Sequence, residues 1–590
     1  MTLKRLLPFL LPAFAFACDP ESGDVADELE PRIPIKGDAP GSCDPDDCGG
    51  KGSTGSCWCD DLCVQYGDCC SDKAAVCDGD VAPDPTPAVD PGNGGGTGTW
   101  AFADVHGVAN LDDDDGQYTD WGQYIFGGDD DLSVLTLPAA SLENLGPDDS
   151  LGLTLQGATN AVRVWLDGEP LLGNAAGQNT VALQPGGGDI ELVIEFGNYN
   201  VDAQLRISHL DGAGNELAAD VVTVDSAPLI LNHHLQPAEH VWATSVNAPG
   251  YSNAAFISAY QTHLGGDFTA VSGASVGNDV WMQDELEFAT SVGDQGQRID
   301  TVVDSIRNRG LDVLPETRMV GPDVIARTWG VPSQARSEDS FGNLEVSPPV
   351  TVGGVEYPFG RIYYGAGLHP DLANFLDGQQ VQDPFVLDTS WLCVGHVDEY
   401  STFVPDPSSP KGFKLLLADV DSAYQLLDQL PGSMNLPRYG ADHGYPNVSA
   451  LRGDSALRNL NEDVQDFYLQ PLRAKFKAEL GLTEADIIDM PTLFEQVPGC
   501  GGGLVALTPG MVNLIVANFP GQTTKLFIPD PFFRSNLFDQ DSDPVIQYFT
   551  DALPAGLEPV YVDDWDVYHL GLGEVHCGSN VERTPTDVWW

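Results

Sequence analysis

Eight cysteines within one short segment constrain the fold of this chain more than any other feature. They are Cys43, Cys48, Cys57, Cys59, Cys63, Cys69, Cys70 and Cys77. So short a segment cannot build a sufficient apolar core, which predicts a small disulfide-stapled module over residues 41–78. Eight cysteines allow many pairings, and the sequence does not choose among them. A metal cluster is the competing interpretation, but the segment contains no histidine.

The first 18 residues have the features of an export signal. Lys4 and Arg5 precede an apolar run, and Ala15-Phe16-Ala17 forms a small-x-small cleavage site. Cys18 follows directly, so the stretch also resembles a bacterial lipoprotein signal with a lipidated cysteine. An ordinary cleaved signal is the alternative. Both interpretations predict an exported protein, secreted or at the cell surface, and the lipoprotein interpretation adds a lipid anchor at Cys18 as its only membrane contact.

Length and charge set the broad class. A chain of 590 residues is too long for one core, so two to four domains are expected. The net charge of −62 disfavours nucleic acid as a partner and suits a solvated acidic exterior or several bound cations. Residues 19–40 are an acidic, Pro-rich tether, and residues 79–99 form a Pro- and Gly-rich linker.

Short alternating runs fill residues 100–225 and predict an immunoglobulin-like β-sandwich. Examples are Ala161–Leu166, Ile190–Glu195 and Ala203–Ser208. Two acidic clusters, Asn110–Gly116 and Asp129–Asp131, fall between such runs. Clustered carboxylates before a glycine predict a calcium loop, with a solvated acidic turn as the alternative.

Strands and helices alternate in residues 226–590. Lys414–Ala418 and Leu504–Leu507 are predicted buried strands. Residues Asn461–Leu480 are a predicted helix that ends at Gly481 and is kinked at Pro471. Its buried side is predicted to carry four apolar side chains. They are Val464, Phe467, Phe476 and Leu480. The sequence contains no glycine-rich phosphate-binding loop and no serine nucleophile elbow. It therefore lacks the motifs of P-loop nucleotide-binding enzymes and of serine α/β-hydrolases.

Cys577 is the candidate nucleophile. Gly573 and Gly578 flank it, and we expect them to let the backbone come close to a ligand and to leave the side chain between them accessible. A cysteine attacks a substrate in its ionised thiolate form.

Cys393 and Cys500 are interpreted as inert thiols. The pair His233-His234 looks like a metal pair, but a polar loop is the preferred interpretation.

Three further segments carry the polar residues that such a thiol needs, and with it they are predicted to form one active site: Trp281–Phe288, Asp304–Gly310 and Gly395–Tyr400. Taken as a strand, Trp281–Phe288 places Gln283, Glu285 and Glu287 on one face, suited to a cation, and Asp284 on the other. The same alternation in Gly395–Tyr400 places His396 beside Asp398, which suits acid–base chemistry. Two carboxylates near a thiol raise its pKa unless the substrate is a cation. A planar guanidinium fits two carboxylates, so a guanidine substrate is predicted.

The chain resembles the peptidylarginine deiminases across residues 226–590. The shared motifs are Ala227-Pro228, Trp281–Phe288, Asp304–Gly310, Gly321–Asp323, Asp339–Pro349, Gly395–Glu399 and Gly573–Gly578. This resemblance implies a five-bladed α/β propeller (the pentein fold). The cysteine order over residues 41–78 is similar to that of a somatomedin-B domain, which implies a protein-binding knob with four disulfides.

The resemblance also implies roles for individual residues. Asp284 and Asp398 would hold the substrate guanidinium, His396 would be the general acid–base and Cys577 the nucleophile. A covalent thiouronium would form and be hydrolysed to citrulline. Trp281 would wall the pocket, and Arg309 would hydrogen-bond the substrate backbone, which implies protein or peptide substrates.

Calcium is the cofactor that the resemblance implies. One site would use Gln283, Glu287, Glu345 and the carbonyls of Phe341 and Leu344. A second would use Glu285, Asp304, Ser305 and Asn308. A further group would combine Asp323 with Asp129 and Asp131.

The chain departs from the family pattern at Val280 and Gly571, where arginine is common, and the usual first domain is missing. Two alternatives stay open. The chain could be a surface binding or adhesion protein with an inactive deiminase domain, or it could deiminate free guanidines such as arginine or agmatine.

Overall fold

The structure is a computed structural model that describes residues 41–42, 54–55, 100–111, 131–584 and 589. The export signal with Cys18, the tether, the linker, nearly all of the cysteine-rich module, Asp129 and most of the Asn110–Gly116 cluster lie outside these ranges. The chain divides into two compact units, Met1–Pro85 and Thr86–Trp590. Of the first unit, only the antiparallel pairing of Gly41–Ser42 with Thr54–Gly55 is described. In the described ranges, no helix has the length and apolarity needed to cross a membrane.

Two sheets account for residues 100–226. The first has five strands, in spatial order Val105–Gly107, Glu216–Ser226, Asp202–Leu210, Ser150–Gly157 and Thr180–Leu183. The second has four strands, in spatial order Ser133–Leu137, Ile190–Phe196, Val162–Leu166 and Glu169–Gly173. A short helix, Ala139–Leu142, follows the strand Ser133–Leu137. Side chains of both sheets share one apolar cluster. The three alternating runs quoted from the sequence are therefore confirmed as strands.

Five mixed sheets account for most strands after residue 226. In each, a central strand pairs antiparallel with one neighbour and parallel with the other. Written as antiparallel neighbour, central strand and parallel neighbour, they are Leu286–Val292, Arg298–Asp304, Val324–Thr328; Leu344–Val346, Ile362–Gly365, Phe385–Leu387; Ser401–Pro405, Phe413–Asp419, Ile487–Pro491; Ile515–Ala517, Lys525–Pro529, Glu558–Val562; and Ser579–Arg583, Ala238–Ser245, Phe268–Ser272. Ile230–Leu231 adds an edge strand to the first of these. In the last, the C-terminal strand supplies the antiparallel neighbour.

Helical segments connect each central strand to its parallel neighbour, because parallel strands need a crossover. Four of these connections contain Ala254–Leu264, the π-helical turn Pro315–Met319, Pro370–Gly378 and Pro544–Ala552. The fifth and longest contains Val420–Gln429, Pro437–Asp442, Val448–Gly453, Ser455–Val464, the π-helical Gln465–Leu469, and Gln470–Leu480. Three two-stranded hairpins complete the described strands: Asn247–Ala248 with Tyr251–Ser252, Val350–Val352 with Val355–Tyr357, and Phe494–Gln496 with Leu504–Ala506.

The helix predicted over Asn461–Leu480 is confirmed as helical throughout, and its irregularity lies at the π-helical segment Gln465–Leu469, close before Pro471. A π-helical turn is a local departure from α-helical hydrogen bonding, as expected next to a proline that cannot donate. Phe467 is 68% exposed, so its predicted burial was wrong, because the wider π turn rotates it out of the apolar side. Gly481 ends the helix in the left-handed conformation, as predicted.

Cys393 and Cys500 are not thiols. They form a disulfide with Cα atoms 5.2 Å apart, so their interpretation as inert thiols was wrong. Lys414–Ala418 and most of Leu504–Leu507 lie in strands, as predicted.

Candidate active site

The candidate active site lies where the five mixed sheets begin. Directly before the antiparallel outer strand of each sheet stands a short segment that carries a polar group or a close-packed glycine. These segments hold Asp284 before Leu286, Gly342 before Leu344, Asp398 before Ser401, Asn513 before Ile515 and Cys577 before Ser579. The repeated topology thus gathers residues that are up to 293 positions apart in sequence, from 284 to 577.

Cys577 is the only free cysteine among the described residues, and it is buried. Its Sγ lies 3.4 Å from Asp398 Oδ2, and Asn513 Nδ2 donates to the same sulfur at 3.4 Å. Burial, and then the charges of Asp398 and Asp284, raise the pKa of this thiol well above its ordinary value. The ligand-free site therefore keeps the thiol protonated.

Asn513 fixes the backbone around the thiol. Its Oδ1 accepts from the backbone N–H groups of His576 and Cys577 at 2.9 and 3.3 Å. Its Nδ2 also donates to the Asp398 carbonyl at 3.2 Å. One amide side chain thereby ties the segment of Cys577 to the segment of Asp398.

His396 and Asp398 belong to a short 3₁₀ turn, Val397–Glu399 with His396 as its N-cap, and not to a strand. The strand prediction for Gly395–Tyr400 was wrong, since Glu399 Oε1 accepts from the N–H of His396 at 2.9 Å and folds the backbone back. His396 Nε2 lies 2.8 Å from the Ser337 carbonyl oxygen, which can only accept. Neutral His396 therefore carries its proton on Nε2, and Nδ1 is its proton acceptor.

Gly342 packs directly against this turn. A Cβ on Gly342 would lie 2.8 Å from His396 Nδ1 and 2.9 Å from Asp398 Oδ2. The site thus requires glycine here because both groups approach its backbone.

Asp284 already holds a guanidinium, that of Arg309. Arg309 Nη2 donates to Asp284 Oδ2 at 2.9 Å, and its Nε lies 3.4 Å from Asp279 Oδ2. Burial works to raise the pKa of Asp284, but Arg309 and His396 outweigh it, and the pKa is lowered. His396 Nδ1 lies 3.9 Å from the other carboxylate oxygen of Asp284. This carboxylate is therefore ionised and demonstrably able to take a guanidinium.

The predicted strand over Trp281–Phe288 was also wrong in its first half. Met282–Glu285 is a helical turn, and the strand begins at Leu286. Gln283 and Glu287 are therefore in contact, with Nε2 donating to Oε2 at 2.8 Å, whereas Glu285 lies apart from them near Asp304. The cause is tertiary, because the N–H of Gln283 donates to the carbonyl of Cys577 at 3.2 Å.

Trp281 forms one side of the site. A Cβ on Gly573 would lie 2.4 Å from the Trp281 ring, and a Cβ on Gly578 would lie 2.4 Å from the Tyr568 ring. Both glycines permit a close approach, but to aromatic rings rather than to a ligand, and the predicted accessibility of the side chain between them was wrong because Cys577 is buried.

The first predicted cation group comes together around a cavity behind Cys577. Gln283, Glu287, Leu344 and Glu345 all line it. The Phe341 carbonyl accepts from Gln283 Nε2 at 3.3 Å. Burial, with the mutual repulsion of the carboxylates, raises the pKa of Glu287 to about 7, and burial raises that of Glu345 to about 8. Buried carboxylates in such a cluster suit a bound cation.

The second predicted group is partly assembled. The Glu285 carbonyl accepts from the N–H of Ser305 at 2.8 Å, and both carboxylate oxygens of Glu285 are buried without a hydrogen-bond partner. Burial and Asp304 raise the pKa of Glu285 to about 8, and burial raises that of Asp304 to about 7. Orphaned buried oxygens fit a hard cation such as Ca²⁺. Asn308 is exposed and has a φ of 46°.

Of the third predicted group, Asp131 is buried, Asp323 is exposed, and Asp129 lies outside the described residues.

Sequence reasoning missed Asn513, Gly342 and Glu399. Asn513 directly precedes the apolar run Leu514–Ala517, at the position that Asp284 and Asp398 occupy before their strands. Its place before a buried apolar run is the signal that the sequence carries. His233 and His234 do not form a metal pair, since His234 instead faces Glu345 and His576.

Comparison with known proteins agrees with this geometry. The family model described as protein-arginine deiminase (PAD) matches residues 216–590. The human protein-arginine deiminase type-4 is 33% identical over 508 residues, which cover 78% of this chain and 72% of that protein. The human type-1 enzyme is 36% identical over 400 residues, covering 63% of this chain and 57% of that protein. The mouse type-4 enzyme is 35% identical over 412 residues, covering 65% of this chain and 60% of that protein.

Proposed function

Because the chain belongs to the protein-arginine deiminase family, we propose that it hydrolyses the guanidinium of peptidyl-arginine to citrulline and ammonia. One observation carries the proposal. A buried thiol lies beside two carboxylates, and one of these carboxylates, Asp284, already binds a guanidinium. A cationic substrate would neutralise the two carboxylates that raise the pKa of Cys577.

In the proposed reaction, Asp284 and Asp398 bind the substrate guanidinium, which requires Arg309 to leave Asp284. His396 Nδ1 takes the proton of the Cys577 thiol, and the thiolate attacks the guanidinium carbon. Protonated His396 gives this proton from Nδ1 to the departing ammonia, and a thiouronium remains on Sγ. His396 Nδ1 then removes a proton from the water that attacks the same carbon, citrulline leaves as the C–S bond breaks, and the proton returns from His396 to the thiolate. Asn513 positions the thiol and does not react.

Calcium is the proposed cofactor, and when bound it would supply positive charge to the clustered carboxylates. Glu287 and Glu345 with Gln283, and Glu285 with Asp304, would hold it. Asp284 lies between Gln283 and Glu285 in one helical turn. Calcium bound by Glu287 and by Glu285 would therefore change the orientation of that turn. Such a change would favour release of Asp284 from Arg309.

The architecture and the cellular location are proposals as well. We propose that the five mixed sheets are the blades of a pentein propeller and that residues 100–225 are an immunoglobulin-like domain. The somatomedin-B-like module would bind a partner protein. Export, with a lipid anchor at Cys18, would place the enzyme outside the cell.

Arg309 provides the test of substrate class. We expect a blocked arginine peptide to yield citrulline with calcium and not with chelator, and free arginine to be a poor substrate. Arg309→Gln should lower kcat/KM for the peptide by about 10- to 100-fold, because the variant loses a hydrogen bond from a charged group to the substrate backbone. Citrulline assays of both substrates measure this, with Arg298→Gln as the matched control. Efficient calcium-independent turnover of free arginine would move the assignment to a small-guanidine deiminase. Absence of citrulline under all conditions would favour a binding or adhesion protein.

Gly342→Ala tests the packing of the site. The added methyl group must displace His396 or Asp398, so we expect kcat to fall by roughly 100-fold, as displacements of about 1 Å can cause. Gly378→Ala is the matched control, since a Cβ there meets no atom within 4 Å. Equal kcat values for the two variants and the wild type would contradict the assembled site.

A further inference from the structure

A second cluster of metal-ligating side chains lies directly behind Cys577. It consists of His234, Glu345 and His576, whose possible ligand atoms all lie within 4.8 Å of one another. His234 Nε2 is 3.2 Å from Glu345 Oε2, and His576 Nε2 is 3.4 Å from Glu345 Oε1. Two imidazoles from distant parts of the chain thus point at the two oxygens of one carboxylate.

The outer ring nitrogens of both histidines are held in place. His576 Nδ1 lies 2.9 Å from Asp398 Oδ2, so this nitrogen faces the carboxylate of Asp398. His234 Nδ1 lies 3.0 Å from Thr402 Oγ1. In the tautomer that donates from Nδ1 to Asp398, the lone pair of Nε2 faces Glu345. A carboxylate that orients a histidine through its outer nitrogen is the usual second shell of a protein-bound transition metal.

We propose that His234, Glu345 and His576 bind a zinc-like divalent transition-metal ion. Two imidazole nitrogens and a carboxylate oxygen are a common zinc donor set and leave one position open. Calcium, by contrast, takes six to eight oxygen ligands. The cluster therefore differs in chemical preference from the calcium groups proposed above.

The two ions would compete for one residue. Glu345 belongs both to this cluster and to the proposed calcium group with Gln283 and Glu287. The members of both groups line one cavity. One carboxylate cannot complete both coordination shells at once. On the premise of the proposed function, a zinc-like ion would therefore inhibit by excluding calcium.

Metal binding is tested directly on the metal-free full chain. We expect Co²⁺ to produce visible d–d absorption bands, and Zn²⁺ to abolish them by displacement. His234→Gln should weaken this site by at least about 100-fold. His263→Gln, which changes a half-exposed histidine outside the cluster, and Cys577→Ser should both retain it.

Three outcomes would overturn the proposal. Equal Co²⁺ affinity in wild type and His234→Gln would show binding to the acidic exterior alone. Loss of the bands in Cys577→Ser would assign the metal to the thiolate. Absence of any bands would mean that a protonated His576 bridges Asp398 and Glu345 without a metal.

The inhibitory consequence has a separate readout. We expect Zn²⁺ to shift the calcium activation curve to higher calcium in the wild type and in His263→Gln, but not in His234→Gln. An inactive protein that still binds Co²⁺ through His234 would disprove the proposed function and leave the metal site standing. Inhibition that is equal in wild type and His234→Gln would disprove competition at Glu345.

Discussion

Cys577→Ser is expected to abolish citrulline formation from an arginine peptide, with kcat falling by roughly four orders of magnitude or more. Serine keeps the approximate size of the side chain, so the melting temperature should stay close to that of the wild type. The hydroxyl of serine is far less acidic than a thiol, and no group beside Sγ acts as a strong base toward it. Rapid quenching followed by mass spectrometry should detect an amidino adduct on Cys577 in the wild type and none in the variant.

The disulfide cysteines supply the matched control. The double variant Cys393→Ser, Cys500→Ser is expected to lose about 2–4 kcal/mol of unfolding free energy, because a bridge across a long loop restrains the unfolded chain. Its turnover should persist at temperatures where it remains folded. If the double variant were inactive while Cys577→Ser turned over normally, Cys577 would not be the nucleophile.

Side-chain periodicity predicted strands even where burial does not alternate. The strand Asp202–Leu210 alternates largely as read from the sequence, whereas both faces of Val162–Leu166 are buried. The five-fold repeat escaped detection since it resides in the hydrogen-bond pattern between strands, and the side chains of the five sheets do not repeat. The same limitation concealed Asn513, whose role depends on the repeat.

The segment around Asp284 shows where periodicity fails. Its residue types suit a strand, yet a hydrogen bond from Gln283 to the distant Cys577 holds a helical turn there. The catalytic candidates were still identified correctly as neighbours. That prediction depended on the sequence motifs shared with the deiminases and not on the predicted strand. The Cys393–Cys500 bridge left no sequence signal, with 107 residues between its ends.

Removal of calcium is expected to make the stability of the protein depend strongly on pH. The pKa values of Glu285 and Glu345 are raised to about 8, and those of Glu287 and Asp304 to about 7, chiefly by burial. Unfolding returns these carboxyl groups to pKa values of about 4. Between about pH 4 and pH 8 the folded, metal-free protein therefore binds more protons than the unfolded chain, so its free energy of unfolding falls as the pH rises.

In chelator, we expect unfolding at pH 8 to require several kcal/mol less than at pH 5, since each tenfold difference in proton affinity corresponds to about 1.4 kcal/mol. Calcium should restore most of that loss at pH 8, because it binds the ionised carboxylates of the folded state only. Urea titrations at both pH values, with and without calcium, measure the difference.

The variant Glu285→Gln distinguishes the contribution of the buried carboxyl groups to the pH dependence from that of the many exposed ones. The amide cannot ionise, so the variant should show a shallower pH dependence in chelator and a smaller gain from calcium. Glu462→Gln removes an exposed carboxylate from the helix Ser455–Val464 and should behave like the wild type. If both variants kept the full pH dependence and the full calcium gain, the stabilising cation would bind elsewhere than at Glu285, and the proposed coupling through the turn of Asp284 would fail.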